Sequence, residues 1–270
     1  MADKDYVLGT HDEEIERLAL QHQVWRPRML DAWKRAGFTI DQTLMDVGCG
    51  PGNATIDLAE IVGSSGKVIA LDRSKRFLDA LSQTQKQHEL TNIEAIEHDF
   101  NDDSFPSFNV DGVWCRWVFA FVKNPKTLLS QITNTLKPGG VMVIHEYVDY
   151  SNWRMLPRLP ELEDFVREVM ASWRADGGEP DIGAELPTWL ANLGFELKEL
   201  KPIMDIIPAS NFVWQWPKAF VDVNLRRLQQ IGRITKDRAS NISRAISAAE
   251  AAPHTLMVTP AVIEIIAIKK

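Results

Sequence analysis

The chain has 270 residues, 45% apolar and 25% charged, and its 37 acidic and 30 basic side chains leave a net charge of −7. That is enough for one large α/β domain with added elements, and the acid excess argues against a duplex-binding surface, which needs clustered Lys and Arg to displace counterions. Cys49 and Cys115 are too few for a disulfide framework or a cysteine-rich zinc site. No apolar run approaches the roughly 18 residues of a membrane span, and MADKDYVLGT has no charged-then-apolar leader. These features set the expectation of a cytoplasmic protein with no metal, no nucleic-acid partner and no membrane span.

Thr10 and Glu13 read as a capping box, followed by Ile15, Leu18, Ala19, His22 and Trp25 at helical spacing. Pro27 suits the first turn of a second helix that stops near Gly37. Strands are then expected at Leu44 to Val47, Lys67 to Leu71, Ile93 to Glu97, Asp111 to Cys115 and Val141 to Ile144. Helices fall between them, at about Asn53 to Val62, from Ser74 to about His88, and from Asn124–Pro125 to Leu136, after which KPGG turns into the fifth strand. This alternation predicts a Rossmann-like, doubly wound α/β fold with a mostly parallel seven-stranded sheet, whose ligand crevice lies beyond the carboxyl ends of the strands.

Beyond Tyr147 the alternation stops. Leu159 to Trp173, Leu186 to Leu193, Pro217 to Gly232 and Lys236 to Ala251 read as helices, Phe195 to Leu200 as a strand, and Val262 to Ile268 as the strand that closes the sheet. The expected organisation is a single domain over 1–270. It divides into an N-terminal helical cap (1–38), a cofactor-binding core (41–146), later sheet elements with inserted cap helices (147–255) and a closing strand (256–270). Of the nine Trp, Trp25, Trp33, Trp153, Trp173, Trp189, Trp214 and Trp216 fall in the segments expected to cover the crevice. Aromatic walls there suit an apolar or aromatic ligand, and the core of a helical cap would use the same residues. The densest basic stretch, Arg226 to Arg244, reads as a solvated helix face.

Asp46 to Gly52 is DVGCGPG, directly after a strand and before a helix. A dinucleotide fingerprint needs Gly or Ala five residues after its first glycine, and Asn53 stands there. Pro51 also removes one N–H that could face a pyrophosphate. The segment Leu44 to Glu146 resembles the class I S-adenosylmethionine-dependent methyltransferases, and most closely the ubiquinone and menaquinone biosynthesis methyltransferases. The resemblance rests on this turn, Asp72 after the second strand, Asp99 in EHDF after the third, Cys115–Arg116 after the fourth, and LKPGG before the fifth.

The resemblance implies S-adenosylmethionine as cofactor and a small-molecule methyl acceptor. Asp46 would then lie near the methionine end, Gly48, Cys49 and Gly50 would let the cofactor approach the turn, and Asp72, with Arg73 beside it, would lie on the ribose. Asp99 would take the adenine amino group, Phe100 would offer an apolar wall, and the backbone at Cys115 and Arg116 would meet the methionine part. Each position also has a plainer reading: Asp72 as a helix cap, Asp99 as a loop carboxylate, Cys115 as a small buried residue, Arg116 as the partner of a nearby acid. Tyr6 is a candidate to close over the cofactor. His145, Glu146 and Tyr147 are expected just past the fifth strand and are the candidates for a general base; His22 lies on the apolar face of the first helix. A nicotinamide-dependent oxidoreductase and a cofactor-binding protein without catalysis are the competing readings.

Overall fold

A computed structural model describes residues 12–102 and 104–270; Tyr6 and Thr10 lie outside the described residues. The strands are β1 (Thr43–Val47), β2 (Lys67–Asp72), β3 (Ile93–Glu97), β4 (Val110–Arg116), β5 (Leu136–Asp149), β6 (Arg154–Leu156), β7 (Phe195–Ile203), β8 (Ile206–Pro208), β9 (Leu256–Val258) and β10 (Ala261–Lys269). The helices are α1 (Asp12–Ala36), α2 (Asn53–Val62), α3 (Lys75–Gln87), α4 (Pro125–Thr135), α5 (Pro160–Ala175), α6 (Leu186–Asn192), α7 (Gln215–Gln230) and α8 (Lys236–Ala251).

Seven strands form one sheet in the order β3-β2-β1-β4-β5-β10-β7, parallel except where β10 pairs antiparallel with β5 and β7. The chain winds outward from β1 to β3, then returns to lay β4 on the other side of β1. That reversal opens a crevice between the carboxyl ends of β1 and β4, where Asp46 is level with Trp114 and Val47 with Cys115. Strand alternation sends Trp114 and Val143 to a core shared with Trp33 of α1 and Leu58 of α2. It sends Val113, Cys115 and Ile144 to the opposite core, with Leu128 and Ile132 of α4 and Leu190 of α6.

Two expectations are corrected, and a third feature was not expected. Residues 12–36 form one helix running through Pro27, not two helices meeting there. A proline inside a helix costs about 3 kcal/mol; Trp25, Met29 and Trp33 on either side are fully buried, each stabilising by roughly 1.5–3 kcal/mol, which outweighs it. Second, KPGG lies within the span of β5, where the pairing with β4 shifts register between Val110 and Gly112. The strand then continues to Asp149, so His145, Glu146 and Tyr147 are strand residues and do not follow it. Third, β6, β9 and β8 form a small antiparallel sheet that the sequence pattern did not signal.

The small sheet packs with α5, α7 and α8 around Trp153, Met155, Phe165, Trp173, Phe220 and Ile242, and this cluster runs into Trp25, Trp117 and Tyr147 at the edge of the main sheet. His22 Nε2 lies 3.1 Å from Asp57 of α2, which Arg26 also grips. His22 thus fastens α1 to the sheet layer. No helix among the described residues is long and apolar enough to cross a membrane.

Candidate functional site

The turn after β1 is held from below. Gly48 N–H and Cys49 N–H donate to the Leu71 carbonyl at 2.8 and 3.0 Å, Gly50 N–H to Asp72 Oδ2 at 2.9 Å, and Gly52 N–H to the Cys49 carbonyl at 3.0 Å. Pro51 has no N–H, so every amide from Gly48 to Gly52 is either committed or missing. Gly48 has φ +72°, and a Cβ there would stand 2.3 Å from Val118 Cγ2. Only glycine lets the turn and the β4 edge approach this closely. At Gly50, with φ +55°, the nearest atom to an added Cβ is Leu18 Cδ1 at 3.9 Å, so the turn is open on its upper side.

Above that turn is a cavity of about 1080 Å³, including its open mouth. Asp46, Gly48, Cys49, Gly50, Asp72, Arg73, Asp99, Phe100, Arg116 and Tyr147 line it. Three of the expected positions do not. Cys115 is fully buried and points to the α4 side of the sheet. His145 is fully buried between Trp25 and Trp114, with Nε2 2.9 Å from Glu264 of β10. Glu146 is fully buried too, accepting from Tyr147 N–H at 3.0 Å and Ala120 N–H at 3.4 Å. Of the three proposed bases, the fold brings only Tyr147 to the cavity, stacked on Trp117 at 5.3 Å between ring centres.

Burial governs the acids. It pushes the Asp46 carboxyl up to about 7, against the hydrogen bond from Thr55 Oγ1 at 2.7 Å and the charge of Arg116. Asp72 is also raised by burial, while the N–H groups of Ser74 and Gly50 pull it back. Both Asp72 oxygens accept a backbone N–H, from Ser74 at 2.8 Å and Gly50 at 2.9 Å. A carboxylate has about four lone-pair sites, so Asp72 braces the turn and keeps capacity for ligand hydroxyls. Asp99 Oδ1 accepts from the backbone N–H and side-chain amide of Asn101, both at 3.0 Å. Burial lowers Arg116 to about 10, opposed by Asp46. Its guanidinium lies 5.1 Å from the Trp117 ring centre and 5.8 Å from that of Trp114.

Glu146 leads to a pH prediction. Burial pushes its carboxyl up to about 8 despite the backbone donors, against about 4.3 in an unfolded chain. The folded state therefore binds the proton more tightly. Its contribution to stability is complete below the unfolded value and is lost as pH rises towards 8. Over about pH 5 to pH 8 the pH slope of stability measured by urea unfolding should be more negative in wild type than in Glu146→Gln, which places an uncharged acceptor there. Identical slopes for the two proteins would contradict the assignment.

Sequence reasoning missed Arg17 and Gln21 of α1, Phe77, Asn101, Phe121 and Phe220, all of which line the cavity. Only α1 carried a signal: Glu14, Arg17 and Gln21 are polar residues on its buried stripe, with Arg17 bonded to Glu14 at 2.7 Å and to Gln21 at 2.8 Å. The basic stretch from Arg226 is largely consumed by ion pairs: Arg226 with Glu13, Arg227 with Asp176, and Arg238 with Asp164 and Glu168.

A family model described as a methyltransferase domain matches residues 40–194, more than half of the chain. The chain belongs to the methyltransferase domain family. Among curated relatives, the demethylmenaquinone methyltransferase of Lactococcus lactis subsp. lactis is 34% identical over 126 residues, 47% of this chain and 49% of that protein. The chain thus spans about half the length of the curated relatives it matches. Among solved structures, coclaurine N-methyltransferase bound to N-methylheliamine and SAH has a TM-score of 0.56 at 17% identity, over 90% of this chain and 72% of that one. The [4+2]-cyclase SpnF also scores 0.56, at 17% identity over 90% and 80%. At such identities the likeness is one of fold, a Rossmann-like sheet with flanking helices, and the reaction has to be argued from the site.

Proposed function

We propose that this methyltransferase-family chain binds S-adenosylmethionine in the cavity above the DVGCGPG turn and methylates a small apolar or aromatic molecule. The turn carries the reading. With no amide free from Gly48 to Gly52 it offers no nest for a diphosphate, which disfavours a nicotinamide dinucleotide. Its open upper side, flanked by Asp46, Asp72 and Asp99 at three successive strand ends, fits a cofactor that has a ribose, an adenine and a cationic amino-acid end but no phosphate.

In this reading Asp72 accepts the ribose hydroxyls, with Arg73 alongside. Asp99 accepts the adenine amino group, and Phe100 packs against the base. Asp46 faces the ammonium group across Gly48, Cys49 and Gly50. When bound, S-adenosylmethionine supplies a sulfonium methyl open to in-line displacement. The chain's own part is to hold the acceptor in line and exclude water. Trp117, Tyr147, Trp173 and Phe220 form the aromatic end of the cavity, and α1, α5, α7 and α8 act as its cap. Tyr147 is the one remaining candidate for accepting an acceptor's proton. The free, buried thiols of Cys49 and Cys115 suit the reducing cytoplasm, and the paired arginines of α7 and α8 leave nucleic acid out of the scheme.

Incubation with methyl-labelled cofactor and a panel of phenols, amines and quinones tests the activity. Label should pass to one of these classes, and Tyr147→Phe should slow transfer without weakening cofactor binding. Tight cofactor binding with no transfer to any class would favour the non-catalytic alternative.

A further inference from the structure

Among the described residues, three buried donors on residues lining the aromatic end of the cavity have no hydrogen-bond partner: Arg116 Nη1, Trp117 Nε1 and Trp173 Nε1. Arginine and tryptophan side chains can only donate, and a buried donor left unpaired is costly. Arg116 also makes no ion pair within 4 Å among the described residues, whereas Arg17, another arginine of the cavity, is neutralised by Glu14 at 2.7 Å. The acid with the largest electrostatic influence on Arg116 is Asp46, which burial pushes up to about 7, so that it is only partly ionised near neutral pH. The aromatic end of the site thus has a cation with no direct ion pair among the described residues, two spare N–H groups and broad ring faces.

We propose that the methyl acceptor is an aromatic or polycyclic acid whose anionic oxygens dock on Arg116 and on the indole N–H groups of Trp117 and Trp173. This rests on the methyltransferase reading above and narrows it. A protonated amine brings only donors and a second positive charge, so it is excluded from this end of the cavity. A carboxylate or phenolate supplies the acceptors that all three groups lack, and charge-assisted bonds to arginine are the stronger kind. The three donor atoms are sealed from water, so the ligand reaches them as these side chains rotate on binding. The docked group fixes orientation; the atom that is methylated lies elsewhere on the acceptor, towards the turn.

The test is calorimetry on the full chain saturated with S-adenosylhomocysteine. The probes are aryl carboxylates of one to three fused rings, the matching carboxamides and the matching aminomethyl compounds. At least one carboxylate should bind ten times more tightly than its carboxamide, and its aminomethyl counterpart should bind no better than the carboxamide. Arg116→Gln should abolish the carboxylate preference, and Arg116→Lys should restore part of it, with S-adenosylhomocysteine affinity kept within threefold in both. The proposal is overturned if no carboxylate is preferred over its carboxamide, if the amines bind as well as the acids, or if Arg116→Gln weakens S-adenosylhomocysteine tenfold, which would place Arg116 on the cofactor's own carboxylate. Failure of the wild-type chain to bind S-adenosylhomocysteine would instead refute the methyltransferase reading.

Discussion

Asp72→Ala is expected to weaken S-adenosylmethionine binding by about 10- to 150-fold. A hydrogen bond to a charged group is worth roughly 1.5–3 kcal/mol, and each 1.4 kcal/mol is a factor of ten. Two effects act together in this substitution. The ribose loses its acceptor, and Gly50 N–H, now bonded to Asp72 Oδ2 at 2.9 Å, loses the partner that holds the turn in its open form. Asp72→Asn separates them, because an amide oxygen still serves one backbone N–H while the charge is gone. Calorimetry should rank wild type above Asp72→Asn and Asp72→Asn above Asp72→Ala. Wild-type affinity in the alanine variant would remove Asp72 from the site.

The largest effect on stability is expected at Glu264. Its side chain is 1% exposed in the middle of β10, where it takes a bond from His145 Nε2 at 2.9 Å and pairs with Arg35 of α1. Removing one partner of a buried pair costs about 3–5 kcal/mol. Glu264→Ala should fall at the lower end, about 3 kcal/mol, because Arg35 keeps Asp31 and Glu199. The same network predicts acid sensitivity. Hydrogen bonds from His145 and Arg35 hold Glu264 below the usual carboxylate range despite its burial, so its stabilisation is present above the unfolded value and lost as pH falls through the folded one. Burial lowers His145, so the unfolded chain binds that proton first and stability also declines as pH drops below about 6.5. Urea midpoints at neutral and acid pH check both statements; a Glu264→Ala midpoint equal to wild type at pH 7 would contradict the first.

The elements that position the cavity were readable because their signals are local. A glycine turn between an apolar strand and a helix, and an acid at the end of each of the next two strands, lie within 54 residues, from Asp46 to Asp99. The errors came where distant partners decide. His145 and Glu146 read as polar residues past a strand end. They are buried strand residues because Glu264, 119 positions away, receives one and the backbone N–H of Ala120 meets the other. The unbroken α1 reflects burial of Trp25 against Trp117 and Trp216, contacts no helix-propensity argument contains. The strands β6, β8 and β9 have three residues each, too short to show a period, and exist only because they pair with one another. Arg17 and Gln21 reach the cavity for the same kind of reason: α1 is laid across it by tertiary packing.

A crystal structure with S-adenosylhomocysteine bound decides whether this cavity is the cofactor site. Ribose hydroxyls are expected on Asp72, adenine against Phe100 with its amino group at Asp99, and the amino-acid end over Gly48 to Gly50. The sulfur should face Trp117 and Tyr147. Ligand density with the ribose away from Asp72, or with the sulfur turned from the aromatic end of the cavity, would contradict this placement.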